Sequence, residues 1–132
     1  NHTLLPEFTI KENLLLPIII INNNKNISKK IDYYLDLLGL KECKNKYPVK
    51  MSKGECQRVS IIRALMNNPK LIIADEPTAN LDENNIKIIL DLFVKLNKEL
   101  NYTFIIATHD KKFVDISNKT YEIDNFKLNQ IK

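Results

Sequence analysis

Two short apolar segments in the C-terminal half constrain the fold of this 132-residue chain most strongly. Residues 71–74 and 103–107 are almost continuously apolar, which is typical of parallel strands buried on both faces. A helix is predicted between them over residues 83–100, and its inward face is assigned to Ile86, Ile89, Leu90, Phe93 and Leu100. A strand, a helix and a second strand in this order predict a right-handed crossover between parallel strands, and hence an α/β fold.

Helices are predicted on the N-terminal side of this unit. Residues 28–39 place apolar side chains at helical spacing, with Ser28 as the N-cap and Gly39 directly after the last turn. A second helix is predicted over residues 54–67, because apolar residues recur on one face and a proline follows. The first half of the chain is therefore expected to be mostly helix and loop.

The end of the chain predicts a short helix and a hairpin. Asp110 is a candidate N-cap for a helix that ends at residue 116. Residues 119–123 and 126–131 have the pattern of two antiparallel strands, and the turn is assigned to residues 124–125.

Length and composition fit one domain and exclude several classes of protein. Cys43 and Cys56 belong to no CxxC or Cys/His cluster, so we expect reduced thiols and no zinc site. The longest apolar run, residues 14–21, contains Pro17 and is much shorter than the roughly 20 residues that span a bilayer. Residues 1–10 lack the pattern of a signal peptide, which favours a cytoplasmic location.

The net charge of +4 does not indicate a nucleic-acid partner. Only two of the 20 basic residues are arginines, and the lysines are spread along the chain among many Ile and Asn residues. Proteins that read base edges favour Arg, because its guanidinium group makes two parallel hydrogen bonds. We therefore expect no nucleic acid among the partners.

Polar residues follow both predicted strands at their carboxyl ends, where open parallel sheets bind their ligands. Asp75 and Glu76 follow the first strand, and Thr108, His109 and Asp110 follow the second. Asp75 suits a contact to Mg²⁺, Glu76 could polarise an attacking water, and His109 could contact a γ-phosphate. The alternatives are a solvated turn after the first strand and a loop histidine bonded to backbone.

Residues 51–58 contain a second candidate site. Ser52 and Glu55 match the S-x-x-E capping box, which requires no ligand. A capped helix start also presents backbone amides and the positive end of the helix dipole, so it can hold a phosphate, and Gly54 would permit close approach. Asp82 likewise has a structural alternative as the N-cap of the helix that follows it.

Three motifs in order, MSKGECQR at residues 51–58, LIIADEPTANLD at 71–82 and ATHD at 107–110, resemble the ATP-binding subunits of ABC transporters. The resemblance implies the C-terminal part of a P-loop NTPase, with a helical subdomain over residues 1–68 and a parallel-sheet half over residues 69–132. It implies ATP and Mg²⁺ as cofactors. The implied roles are nucleotide binding by Ser52, Lys53, Gly54, Glu55 and Asp82, Mg²⁺ binding by Asp75, a catalytic base at Glu76 and a switch histidine at His109.

The segments NHTLLPEFTIKENLLLP, GECQRVSIIRAL and NNPKLIIADEPTANLD are most similar to the lipoprotein-releasing and macrolide-exporter subfamily. This similarity implies an ATP-hydrolysing subunit of an export system at the inner face of the cell membrane. Its implied partners are membrane permease subunits and a second ATP-binding subunit.

Two departures from the family pattern stand out. Lys53 occupies the first of two positions that are glycine in the family signature, so its side chain either crowds the subunit interface or meets phosphate charge. The phosphate-binding pattern G-x-x-x-x-G-K-[ST] is absent from the sequence, which has only Gly39 and Gly54. We therefore expect an N-terminally truncated subunit with no hydrolysis by the chain alone, and with apolar surface or an unpaired strand edge of the sheet left exposed.

Two other functions compete with this hypothesis. A non-catalytic fragment could dock onto a permease through the helical half, including residues 14–21 and 33–40. A chromosome-maintenance ATPase shares these motifs, but residues 58–77 leave no space for the long coiled coil that interrupts that class.

Overall fold

The computed structural model describes residues 4–21 and 26–132, with side chains for all of these except residue 21. The helices are α1 (Ile10–Ile21), α2 (Ile27–Leu37), α3 (Lys53–Leu65), α4 (Glu83–Leu100) and α5 (Lys112–Ile116). The strands are β1 (Leu71–Asp75), β2 (Thr103–Ala107), β3 (Tyr121–Asp124) and β4 (Lys127–Gln130). Two short 3₁₀ helices, Lys41–Cys43 and Pro48–Lys50, lie between α2 and α3.

The chain divides into two compact units between Ile72 and Ile73. We call the described residues up to Ile72 the helical unit and Ile73–Lys132 the sheet unit. The predicted division of one domain into a helical subdomain over residues 1–68 and a parallel-sheet half over residues 69–132 stays a prediction.

The core of the helical unit lies between α1, α2 and α3, which all contact one another. Each helix contributes apolar side chains at helical spacing, so that one face of each is removed from water. The fully or almost fully buried side chains are Ile10, Leu14 and Ile18 in α1, Ile31 and Leu35 in α2, and Val59, Ile62 and Leu65 in α3.

The sequence pattern did not predict α1. Pro17 lies inside this helix, where a proline removes one backbone hydrogen bond and disfavours the preceding turn. Tertiary contacts compensate, because Ile10, Leu14 and Ile18 are buried and the Asn67 side-chain amide donates to the Pro17 carbonyl at 2.9 Å. The apolar run that contains Pro17 is therefore helical.

Asn13 attaches the segment before α1 to the helix. Its side chain is fully buried, and its Oδ1 accepts a 2.8 Å hydrogen bond from the Leu5 N–H. Its Nδ2 lies within donating distance of the carbonyls of Leu5, Phe8 and Thr9, at 3.0, 3.1 and 3.0 Å. Most buried polar side chains in proteins are hydrogen-bonded in this way.

The predicted C-terminal end of α2 is confirmed, but its predicted N-cap is wrong. Gly39 has φ +65° and follows the helix; its N–H donates to the Asp36 carbonyl, and the Leu40 N–H donates to the Leu35 carbonyl. This is a Schellman motif, which requires a residue with positive φ at that position. Ser28 is not the N-cap, because α2 begins at Ile27 after Asn26, which has left-handed dihedral angles and makes no side-chain cap bond.

The capping box of α3 is confirmed. Ser52 Oγ accepts from the Glu55 N–H at 3.2 Å, and Glu55 Oε2 accepts from the Ser52 N–H at 2.7 Å. The helix begins at Lys53, one residue before the predicted start at 54. It ends at Leu65, two residues before the predicted end at 67.

Strands β1 and β2 pair as neighbours in a two-stranded sheet. The Glu76 N–H, directly after β1, donates to the carbonyl of Ala107, the last residue of β2, at 2.8 Å. The carboxyl ends of the two strands are therefore adjacent, and the strands are parallel as predicted. The right-handed crossover stays a prediction.

The predicted burial of these strands on both faces is wrong. Ile73 is 74% exposed and Ile105 is 56% exposed, whereas Ile72 is buried. Alternate side chains point to opposite faces of a strand, and only one face is covered. On β2 that cover includes Phe93 of α4, whose ring packs edge-on against Phe104 with centroids 4.8 Å apart.

Helix α4 has the predicted bounds, but its buried face differs from the predicted one at three positions. Leu100 is exposed, and Ile86 and Leu90 are only partly buried. The helix ends at Leu100, and Asn101 follows in a left-handed conformation, so Leu100 lies beyond the packed face. The buried residues follow i, i+3, i+4, i+7 spacing and are Ile89, Leu92, Phe93 and Leu96.

The terminal hairpin turns one residue later than predicted. Asp124 pairs with Lys127, so the turn is Asn125–Phe126, and both residues have positive φ, +47° and +60°. Two such residues form the two-residue turn that matches strand twist. Asn tolerates this conformation, whereas a fully exposed Phe is an unusual occupant that the pattern of turn residues could not predict.

Candidate functional site

Glu76 stands at the point where β1 leaves the sheet. Its φ of +45° is uncommon for a non-glycine residue. Backbone strain of this kind clusters at functional sites. The turn that follows places Thr78, Asn80 and Asp82 after Glu76 and before α4. The local backbone therefore turns sharply at the residue predicted to activate water.

The structure brings Glu76 and His109 together. His109 Nδ1 lies 2.7 Å from Glu76 Oε1, and the His109 backbone N–H donates to the same oxygen at 3.1 Å. The second carboxylate oxygen of Glu76 accepts from Thr108 Oγ1 at 2.9 Å. The residues that end β1 and those that follow β2 thus form one hydrogen-bonded cluster, as expected for parallel strands.

These contacts favour the ionised form of the Glu76 carboxyl. The His109 side-chain hydrogen bond, followed by those of Thr108 and the His109 backbone, lowers the pKa of Glu76 below its ordinary value. An ionised carboxylate only accepts hydrogen bonds, so His109 Nδ1 carries the hydrogen between them. His109 Nε2 is then left for another partner, and its side chain is 84% exposed.

A cleft of about 610 Å³ lies beside this pair. Its walls come from the turn after β1, the start of α4 and the loop before α5, all within the sheet unit. The lining includes Glu76, Asn80, Glu83, His109, Asp110 and Lys112.

Two further contacts across this cleft were not predicted from the sequence. Thr78 Oγ1 donates to Asp110 Oδ2 at 3.2 Å, and Lys112 Nζ lies 2.5 Å from Glu83 Oε2. Thr78 is buried, which is unusual for a threonine in a turn, but its burial depends on residues 32 positions away. No local pattern in the sequence indicates either contact.

Asp75 is the last residue of β1 and its side chain is exposed. Within residues 4–21 and 26–132, no group of three or more His, Cys, Asp or Glu side chains is arranged to hold a metal ion. A single carboxylate still fits Mg²⁺, which is commonly held by one or two carboxylates together with water and phosphate oxygens. Asp75 could therefore supply the protein ligand.

Asp82 is the N-cap of α4, so the structural alternative for this residue is confirmed. Its Oδ1 accepts from the Asn85 N–H at 2.9 Å, and Oδ2 accepts from the Asn85 side chain at 2.6 Å. The Asn85 backbone bond, then the side-chain bond, lowers the pKa of Asp82. Its carboxylate remains ionised at neutral pH and lies at the start of α4.

The second predicted site lies in the helical unit, at the start of α3. Lys53 is exposed, Gly54 is buried, and Ser52 and Glu55 bond to each other in the capping box. The Ser52 N–H is the main cause of the lowered pKa of Glu55. Cys43 Sγ lies 3.8 Å from Glu55 Oε1, a contact that the sequence did not indicate.

The comparisons with known proteins decide the family. A family profile described as ABC transporter matches residues 1–79, which is more than half of the chain. The chain belongs to the ABC transporter ATP-binding family. The fold is therefore that of an ATP-binding cassette, a P-loop NTPase fold, as the motifs predicted.

Curated ABC relatives carry a more specific name. The lipoprotein-releasing system ATP-binding protein LolD of Blochmanniella floridana is 42% identical over 125 residues, covering 94% of this chain and 53% of the relative. LolD of Buchnera aphidicola subsp. Acyrthosiphon pisum is 45% identical over 125 residues, with 94% and 55% covered. The chain thus spans about half the length of the curated relatives it matches.

Solved ABC cassettes have the same fold. A dimeric ATP-binding cassette in a post-hydrolysis state, bound to ADP and Pi, matches with a TM-score of 0.83 at 30% identity. That match covers 99% of this chain and 60% of the cassette. A second dimeric bacterial ABC transporter cassette matches with a TM-score of 0.77 at 34% identity, with 89% and 53% covered.

The described helices include none that could span a membrane, since none combines the required length with sufficient hydropathy.

Proposed function

We propose that this chain is part of the ATP-hydrolysing subunit of an ABC export system of the lipoprotein-releasing type. The observation that carries the proposal is the pairing of Glu76 with His109 at adjacent strand ends. The LolD relatives, at 42% and 45% identity, support the choice of export system.

In this proposal Glu76 is the catalytic base. Its lowered pKa keeps the carboxylate ionised at neutral pH, so it can accept a proton from, or orient, an attacking water. His109 bonds to Glu76 through Nδ1 and holds the carboxylate in place. The exposed edge of the His109 ring, on the side away from Glu76, would contact a γ-phosphate oxygen.

Asp75 would hold Mg²⁺ at the end of β1, and the bound ion would neutralise charge on the phosphates. The exposed carboxylate of Asp75 and the absence of a larger ligand cluster in the described ranges suit a metal that keeps water and nucleotide oxygens. Asp82 would contribute to nucleotide binding from the start of α4.

The start of α3 would contact nucleotide bound by a second ATP-binding subunit. Ser52, Gly54 and Glu55 form a fixed helix N-terminus, and such a terminus attracts phosphate. Lys53 is exposed beside it, and its ammonium group would meet phosphate charge. If instead Lys53 hinders closure, Lys53→Gly would increase ATP-driven dimerisation of a complete subunit, and an unchanged dimerisation would reject that effect.

The remaining partners are membrane permease subunits, and the location is cytoplasmic, peripheral at the inner face of the cell membrane. The sequence contains no G-x-x-x-x-G-K-[ST] pattern, whose backbone amides and lysine hold the phosphates. We therefore propose that this chain alone does not hydrolyse ATP.

The direct test joins the phosphate-binding half of a LolD relative to this chain and measures hydrolysis of MgATP with the lipoprotein-releasing permease present. We expect hydrolysis by the joined protein, a loss of about 10²- to 10⁴-fold in Glu76→Gln, and a smaller loss in His109→Ala. Glu99→Gln, an exposed glutamate at the end of α4, is the matched control and should keep full activity. Equal rates in Glu76→Gln and Glu99→Gln would reject the proposed catalytic role of Glu76, and turnover of MgATP by the chain alone would reject the proposed inactivity of the isolated chain.

A second candidate is a non-catalytic fragment that docks onto a permease. The exposure of Ile19 and Ile20 in α1 and of Tyr33 in α2 favours it, although Leu14, Leu35 and Leu40 in the same segments are buried. Capture of the chain by the permease without nucleotide, combined with an inactive joined protein, would favour this function over hydrolysis.

A further inference from the structure

Beyond the bonds that Glu76 itself makes to Ala107, Thr108 and His109, further side-chain contacts link the segment that carries Glu76 to the segment that carries His109. Thr78 donates to Asp110, and Glu83 pairs with Lys112. We call the Glu83–Lys112 ion pair the outer brace. It joins the first residue of α4 to the first residue of α5, three positions after His109.

The His109 side of this arrangement is held as one block. Asp110 Oδ1 accepts from the Lys112 N–H at 3.0 Å, while its Oδ2 accepts from Thr78. The Asp110 N–H in turn donates to Thr108 Oγ1 at 3.0 Å, and that hydroxyl donates to Glu76. A displacement of Lys112 therefore acts on the loop that contains His109.

The ion pair itself is exposed. The Glu83 side chain is 82% exposed and that of Lys112 is 44% exposed, and the contact with Glu83 is the main cause of the raised pKa of Lys112. Exposed ion pairs contribute little to global stability. We therefore expect the effect of this pair to be local.

We infer that Glu83 and Lys112 are positioning residues: their ion pair holds the His109 loop against the turn after β1, so that His109 stays on Glu76. The catalytic meaning of this inference rests on the proposed function, but the geometry does not. Loss of either charge should let the loop open locally while both units remain folded.

The test measures amide hydrogen exchange of His109 by NMR in the full chain, without nucleotide. The His109 N–H donates to Glu76, so its exchange rate reports opening of the loop. Lys112→Gln is the decisive variant, because the two possible effects have opposite signs. Removing a nearby positive charge slows base-catalysed exchange directly, whereas loss of the brace accelerates it.

We expect His109 exchange to rise about 2- to 5-fold in Lys112→Gln and in Glu83→Gln, the range that an exposed ion pair supports. Lys112→Arg should keep the original rate, and the double exchange Glu83→Lys with Lys112→Glu should restore most of it. The Glu55 N–H, bonded to Ser52 in the helical unit, is the internal control and should not change.

An unchanged or slower His109 exchange in Lys112→Gln would overturn the inference. An equal rise at the Glu55 N–H would overturn it too, because the effect would then be global unfolding. A joined protein that fails to hydrolyse ATP while His109 exchange responds as expected would reject the proposed function and leave the brace established.

Discussion

The helical unit and the sheet unit hold their candidate site residues in different ways. The start of α3 is fixed by a capping box, and the helix packs into the core through the fully buried side chains of Val59, Ile62 and Leu65. Glu76 and His109 are fixed by polar contacts between two loops, on a sheet with one exposed apolar face. The first arrangement is supported by the packing of a buried helix, whereas the second depends on a few hydrogen bonds and an ion pair.

This difference suits the roles proposed for the two sites. A helix N-terminus that binds phosphate needs fixed amides, and a buried helix provides them. A base and a switch histidine need hydrogen bonds that can rearrange when a ligand arrives, and exposed loops permit this at little cost. Substitutions in the two units should therefore separate the effect of packing on stability from the effect of polar contacts.

The largest effect should come from the core of the helical unit. Ile62→Ala leaves a cavity at a site with 0% exposure and should lower the free energy of unfolding by about 2–5 kcal/mol, measured by urea denaturation. Ile73→Ala in β1 is the matched control, and its 74% exposure predicts a change within about 0.5 kcal/mol. Similar losses in the two variants would show that the sheet face is covered in solution.

A smaller loss should follow from Asn13→Ala. The substitution leaves the part-buried N–H of Leu5 and nearby carbonyls without the Asn13 side chain as their partner, and the free energy of unfolding should fall by about 1–3 kcal/mol. Asn129→Ala in the exposed hairpin serves as the control for an asparagine outside the helical unit. Equal thermal and urea midpoints for the two proteins would contradict this account of Asn13.

Helix caps should contribute a similar amount in both units. Ser52→Ala and Asp82→Ala each remove a cap and should cost about 1 kcal/mol of stability, measured by urea denaturation. Asp82→Asn keeps an N-cap side chain and should recover most of that loss. If Asp82→Asn then reduces hydrolysis in the joined protein, Asp82 contacts nucleotide as well as capping α4. If hydrolysis is unaltered, the role of Asp82 is limited to the cap.

The smallest effect concerns pH and the sheet unit. The pKa of Glu76 is lowered in the folded chain, so its contribution to stability is present above about pH 4.3, the ordinary glutamate value, and is lost as pH falls through the folded pKa. Glu76→Gln should therefore weaken the fall in stability below about pH 4.3. Glu122→Gln in the hairpin is the control, and a flatter profile in that variant alone would contradict the assignment.

Local patterns in the sequence predicted the elements that depend on neighbouring residues. The capping box of Ser52 and Glu55, the bounds of α4 and the Schellman glycine Gly39 all arise within one or two helical turns. The meeting of Glu76 and His109 was also predicted, because parallel strands bring their carboxyl ends together.

Features that depend on distant contacts were not predictable. Pro17 disfavours a helix, yet burial of the apolar face of α1 and the hydrogen bond from the Asn67 amide stabilise the helix. Asn26 rather than Ser28 precedes α2, and the hairpin turns at Asn125–Phe126, since backbone pairing overrode the residue preferences. The exposed face of β1 and β2 was predicted only through the family resemblance, because their composition alone favours burial on both sides.

The outer edges of β1 and β2 carry no further strand in the part of the chain that the structure describes. Unpaired amides and carbonyls on such edges, next to exposed isoleucines, are a template for strands of other molecules. We therefore expect self-association of the purified chain to rise with concentration and to begin at the edges of β1 and β2.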